Sequence, residues 1–157
     1  MDNLKYCEGK AVTKKDVQIL EYSLFISWGA ALIATLGSLY FSEVLKYIPC
    51  DLCWVQRIFM YPLVIVLGVA IVKKDYKIYR YVLPLSIVGG IISIYHYLIQ
   101  KVPFFAANAN TCGVVPCTGE YINWLGFITI PMLALIAFII ITISNALLFK
   151  FNKKGGK

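Results

Sequence analysis

Four long stretches of this sequence contain no Lys, Arg, Asp or Glu: residues 22–42, 58–72, 81–100 and 121–149. Acidic residues are scarce throughout, eight against fifteen basic ones. Runs of this length without charge exclude an ordinary soluble domain, whose apolar residues share each helix or strand with charged ones. With 60% apolar residues, 15% aromatic residues and a mean hydropathy of +0.75, the chain reads as a membrane protein. Covalent c-type haem needs C-x-x-C-H, and Trp54 follows the only C-x-x-C, so that attachment is excluded. There is no internal repeat and no low-complexity tract, so one integral-membrane domain over 1–157 is expected. A cleavable signal peptide is not expected either, because the first apolar stretch is longer than a signal core and begins only after twenty polar-biased residues.

The runs have the dimensions of membrane spans. The first and third, of 21 and 20 residues, match the roughly 20 residues that cross a ~30 Å hydrocarbon core. The second has only 15. Started at Cys50 it reaches 23 residues, about 34 Å of helix, which puts the C-x-x-C in its first turn. The fourth, at 29 residues, is long enough to tilt or to start in the interface near Trp124. The expected fold is therefore an all-α membrane protein, a four-helix transmembrane bundle with spans of about 18–42, 50–72, 81–100 and 121–149. Pro62 predicts a kink or break near mid-membrane, and Pro131 a second kink.

A net charge of +7 invites a nucleic-acid reading, but the placement of the charge favours topology. Twelve of the fifteen basic residues fall in residues 1–21, in 73–80 and in the C-terminal tail. The two other loops hold only Lys46, Arg57 and Lys101, so the positive-inside rule predicts that both termini are cytoplasmic. Cys7 then lies in the cytosol, an idle thiol, while Cys50, Cys53, Cys112 and Cys117 face the oxidising side and are expected to form two nearest-neighbour pairs.

The chemistry concentrates in Pro49-Cys50-Asp51-Leu52-Cys53-Trp54-Val55-Gln56-Arg57. On a helix beginning near Cys50, the two sulfurs and the guanidinium stand at i, i+3 and i+7 and share a face. A helix N-terminus and a nearby cation both favour a thiolate. The single histidine, His96, lies five residues before Lys101, about 7–8 Å below the outer end of its helix, at a depth similar to Arg57. Ionisable residues inside a span are functional candidates by default, although His96 could simply bridge helices and Arg57 could snorkel. Cys112 and Cys117 are separated by four residues that include Gly113 and Pro116. So small a ring stabilises little as a staple and suits exchange better. A zinc centre made from the four cysteines lacks the usual second C-x-x-C and is not expected; no resident metal is assigned. Two disulfides in one leaflet can form a relay, and the natural two-electron acceptor beside a membrane helix is a lipid-soluble quinone.

Together, the four spans, Cys50-x-x-Cys53-x-x-x-Arg57 at the head of the second, His96-x-x-x-Gln100 at the end of the third and a cysteine pair in the second outer loop resemble the DsbB family of disulfide-generating membrane oxidoreductases. The short loop spacing is similar to its Gram-positive BdbC type. The resemblance implies a bacterial plasma-membrane protein with its redox cysteines on the extracytoplasmic face. It implies a bound quinone, either menaquinone or ubiquinone, and a thioredoxin-fold partner of the DsbA type that is reoxidised. On it, Cys50 and Cys53 are the quinone-proximal pair, with Cys53 the nearer. Arg57, His96 and Gln100 belong to the quinone site, and Cys112 and Cys117 face the partner. The neighbouring vitamin K epoxide reductase family shares the relay logic and is the alternative enzyme; two purely structural disulfides are the non-enzymatic alternative.

Overall fold

A computed structural model describes residues 14–102, Phe104 and residues 129–154. Among these, four helices are long and apolar enough to cross a membrane. They are α1 (Lys14–Leu39), α2 (Asp51–Lys73), α3 (Tyr79–Lys101) and α4 (Ile130–Lys154). No strand occurs among the described residues. The bundle is a ring: α1 packs on α2, α2 on α3, α3 on α4 and α4 back on α1. Buried positions recur every three or four residues, as at Gln56, Met60, Leu63, Leu67 and Ala70 of α2, so each helix turns one stripe inward. The opposite faces carry exposed Ile33, Ile65 and Ile91. In a bilayer such residues meet lipid rather than water.

Polar side chains tie the ring together where lipid offers no partners. Asn145 of α4 donates from Nδ2 to Ser27 Oγ of α1 at 2.8 Å. Thr142 of α4 donates to Ser86 Oγ of α3 at 3.0 Å. Ser27, small enough to let helices approach, is thus also an acceptor between them. Close approach of α3 and α4 depends on Gly89, where a Cβ would collide with the buried ring of Phe138.

The connections set the ends of the spans. After Leu39, α1 widens into a π-helical turn over Tyr40–Val44, two residues past the expected boundary. At the other side of the bundle, α2 closes with Lys74 in the left-handed region. There Asp75 N–H donates to Ala70 O and Lys74 N–H to Ile71 O, at 3.0 and 3.2 Å, the bonding pattern of a Schellman motif. Asp75 then accepts from Lys77 N–H to start the short 3-10 turn Tyr76–Ile78 that leads into α3.

Two proline expectations change. Helix α2 runs unbroken through Pro62, which lies on its exposed side, so the chain does not break at mid-membrane. Pro131 is the second residue of α4. In a first turn the missing N–H has no intrahelical partner to lose, so this proline starts the helix instead of kinking it. Thr129 lies outside the helix and its carbonyl accepts from Leu133 N–H at 3.1 Å, while residues 121–128 of the expected fourth span lie outside the described residues.

Candidate redox site

Cys50 is the residue that caps α2. Its backbone is extended, with φ −73° and ψ 169°, and its carbonyl accepts the first helical hydrogen bond, from Trp54 N–H at 3.1 Å. Pro49 before it has no N–H and disfavours a helical conformation at the preceding residue, so the helix begins here. Cys53 stands one turn on, and the two sulfurs are 3.0 Å apart as free thiols. A small rotation at either residue would bring them to bonding distance.

His96 comes to this pair from α3. It is fully buried, with Nε2 at 3.6 Å from Cys50 Sγ and Nδ1 at 3.4 Å from Gln56 Nε2. With the amide so placed, Gln56 donates to Nδ1, which leaves the ring proton on Nε2 and aimed at the sulfur. If the amide turns over, Gln56 accepts from Nδ1–H and Nε2 becomes the acceptor. Gln56 therefore supports either tautomer. Cys50 packs against Ile99 of α3 as well, so the C-x-x-C is clamped between the N-terminal end of α2 and the C-terminal end of α3.

The other side of the pair opens on a cavity of about 400 Å³ walled by α1, α2 and α4. It exists because α2 and α4 stand diagonally across the ring. Most of its wall is apolar, and its polar groups come from Ser38, Ser42, Tyr47, Cys53, Gln56, Arg57 and Tyr61. Arg57 donates from Nη2 to the Ser38 carbonyl of α1 at 3.1 Å and lies 5.5 Å from the Trp54 ring centroid. That carbonyl is within the last turn of α1, ahead of the π-helical segment. The Tyr61 hydroxyl is buried without a hydrogen-bond partner among the described residues.

The sequence-predicted residues thus separate. Cys53 and Arg57 line the cavity, whereas His96 lies at Cys50 on the α3 side and is absent from the cavity wall. Gln100, one turn beyond His96, is half-buried near the end of α3 and also does not line the cavity. Cys112 and Cys117 lie outside the described residues, as does Cys7. Gln56 and Tyr61 carried no role in the sequence reading. A glutamine next to an intramembrane arginine is itself a signal, because its amide must find partners inside the protein.

Residues 21–148 match the family described as "Disulfide bond formation protein DsbB". The chain belongs to the DsbB family. A relative called "Probable disulfide formation protein C 1" from Bacillus anthracis is 62% identical, over 83% of this chain and 94% of its own. "Disulfide bond formation protein C" of Bacillus subtilis is 61% identical, over 80% of this chain and 91% of its own. "Probable disulfide formation protein" of Oceanobacillus iheyensis is 45% identical, over 90% and 95%. No solved structure matches the chain. The DsbB match takes in the C-x-x-C, Arg57 and His96, and it includes the loop cysteines.

The contact between His96 and Gln56 is testable without reference to activity. Leaving a buried ring nitrogen unpaired costs about 1–3 kcal/mol, so Gln56→Leu should lower the unfolding free energy in detergent by that amount and shift the denaturation midpoint downward. An unchanged midpoint would show that His96 does not depend on this amide.

Proposed function

We propose that this chain, an oxidoreductase of disulfide bond formation by its DsbB membership and its relatives named for disulfide formation, is a thiol:quinone oxidoreductase. Electrons from a DsbA-like thioredoxin-fold partner pass through Cys112 and Cys117 to Cys50 and Cys53, and from there to menaquinone or ubiquinone. The supporting observation is that the thiol of Cys53 lies in the wall of the same apolar cavity as Arg57. The residues fit such a ligand. An apolar wall suits a prenylated ring, and Arg57 and the unpartnered Tyr61 hydroxyl offer donors to its carbonyl oxygens. When bound, a quinone supplies an acceptor for two electrons and two protons.

The chain's own residues divide the remaining work. A dithiol partner loses two electrons and becomes a disulfide as the loop disulfide opens to two thiols; these in turn reduce the Cys50–Cys53 disulfide by exchange. Negative charge on Cys50 is favoured by its place at the α2 N-terminus and by the imidazole at 3.6 Å. His96 is placed to hold or release the Cys50 proton, with Gln56 keeping the ring in register on its other side. Arg57, fixed to Ser38 O, brings positive charge to the cavity where electrons leave Cys53.

The loop pair and the helix pair are unequal steps in this scheme. Cys112→Ala or Cys117→Ala should stop oxidation of the protein partner while Cys50 and Cys53 still turn over a small dithiol with quinone. Loss of thermal stability with partner turnover intact would make the loop disulfide a structural staple.

Orientation follows the charge partition: both termini are cytoplasmic and the four redox cysteines extracytoplasmic. On reduced intact cells an impermeant thiol reagent should label Cys112 and Cys117 and spare Cys7. Labelling of Cys7 would reverse the topology.

For Arg57 the expectation is quantitative. A hydrogen bond to a charged group contributes about 1.5–3 kcal/mol, so Arg57→Met should lose roughly ten- to a hundredfold in quinone-dependent efficiency. Arg57→Lys should lose less, because it keeps the charge but not the planar donor set. Normal quinone kinetics in Arg57→Met, with both disulfides intact, would remove Arg57 from the site.

A further inference from the structure

We propose that the reduced Cys50–Cys53 pair and His96 form a binding site for a soft divalent cation of the zinc and cadmium class. The three donor atoms lie within 4.8 Å of one another. Tetrahedral zinc, with Zn–S of about 2.3 Å and Zn–N of about 2.0–2.1 Å, needs S···N edges of about 3.6 Å and an S···S edge of about 3.8 Å. The Cys50–His96 separation of 3.6 Å already has that value; the sulfurs, at 3.0 Å, must part by about 0.8 Å, and Cys53 Sγ, within 4.8 Å of the imidazole nitrogen, must settle at about 3.6 Å from it. This is not a zinc centre of four cysteines. It needs only one pair and the one histidine, from two helices.

Charge and outer contacts suit the same ion. Two thiolates and a neutral imidazole around a divalent cation make a neutral assembly, the form that a buried site with Cys50 at 5% exposure tolerates. Metal-bound Nε2 puts the ring proton on Nδ1, which then needs an acceptor. The Gln56 amide at 3.4 Å provides one by turning its oxygen to the ring. Cys53, in the cavity wall, leaves the fourth position on the open side.

Binding releases whatever thiol protons the reduced pair still holds and moves no electrons. Oxidation of the pair to a disulfide removes both thiolates, so cation and disulfide exclude each other. The site therefore exists only in the reduced protein, and an occupied site cannot return its electrons. That last consequence rests on the redox role proposed above; the binding itself does not.

The test uses the full chain in detergent with Cys7, Cys112 and Cys117 changed to serine, reduced, and titrated with Cd2+ alone. The ultraviolet thiolate-to-cadmium absorption should saturate at one equivalent, with proton release, and should be absent after oxidation of the pair. His96→Ala should weaken binding at least tenfold, and Gln56→Leu by about ten- to a hundredfold. Cadmium NMR of the protein with His96 in place gives a reading independent of how those variants fold: it should report two sulfurs and a nitrogen. Sulfur-only ligation, no absorption in the reduced protein, or equal affinity in a folded His96→Ala would each overturn the site. Quinone reduction by the unsubstituted protein is a separate measurement, so failure of the metal site leaves the redox reading untouched.

Discussion

A fully buried histidine inside a bilayer-spanning helix must find its hydrogen bonds within the protein. His96 meets both of its partners on α2, Cys50 through Nε2 and Gln56 through Nδ1. Two contacts about two turns apart on one helix fix the relative height of α2 and α3. They also hold the C-x-x-C at the end of the bundle where α2 begins and α3 ends, with Cys50 turned inward to α3. The reactive pair is thereby part of the packing between two helices and not a feature of a free loop.

The ring arrangement explains why this pair has a second side. Helices α1 and α3 both pack on α4, and Asn145 and Thr142 bind α4 to each of them. Because α2 and α4 face each other across the ring, the space between them beside the first turns of α2 is filled by none of the described helices. Cys53 and Arg57 open into it. The dithiol thus has two unlike sides: an imidazole with an amide behind it on the α3 side, and an apolar chamber with a guanidinium on the α1 side.

Much of this architecture was legible in the sequence because it depends on absences of charge that any lipid-facing helix enforces. The C-x-x-C at the head of a helix, Arg57 one turn beyond and His96 at matching depth followed from helix geometry. Prolines were less readable. A proline consumes no bond in a first turn and can lie on a lipid-facing side, so residue type alone did not distinguish Pro131 as a start from Pro62 as an interior residue. Periodicity also could not show which neighbour each polar group meets: it put Cys50, Cys53 and Arg57 on one face, whereas the long arginine side chain reaches across to Ser38 O. Gln56 and Tyr61 acquire meaning only once α3 stands beside α2 and α4 across from it, since the first is defined by its contact with His96 and the second by the chamber it enters. The loop cysteines 112 and 117 stay where the sequence left them, as the partner-facing half of the proposed relay.

The central claim is that the chamber beside Cys53 receives the electrons of the Cys50–Cys53 pair. Its most direct measurement is made on protein purified in mild detergent, from which bound lipids are extracted and the thiols then reduced under anaerobic conditions. The account predicts that a menaquinone or ubiquinone is recovered in the extract. It also predicts that returning this quinone re-forms the Cys50–Cys53 disulfide with one quinone reduced per disulfide. If no quinone is recovered and none of either class re-forms the disulfide, the chamber is not an electron acceptor site and the account fails.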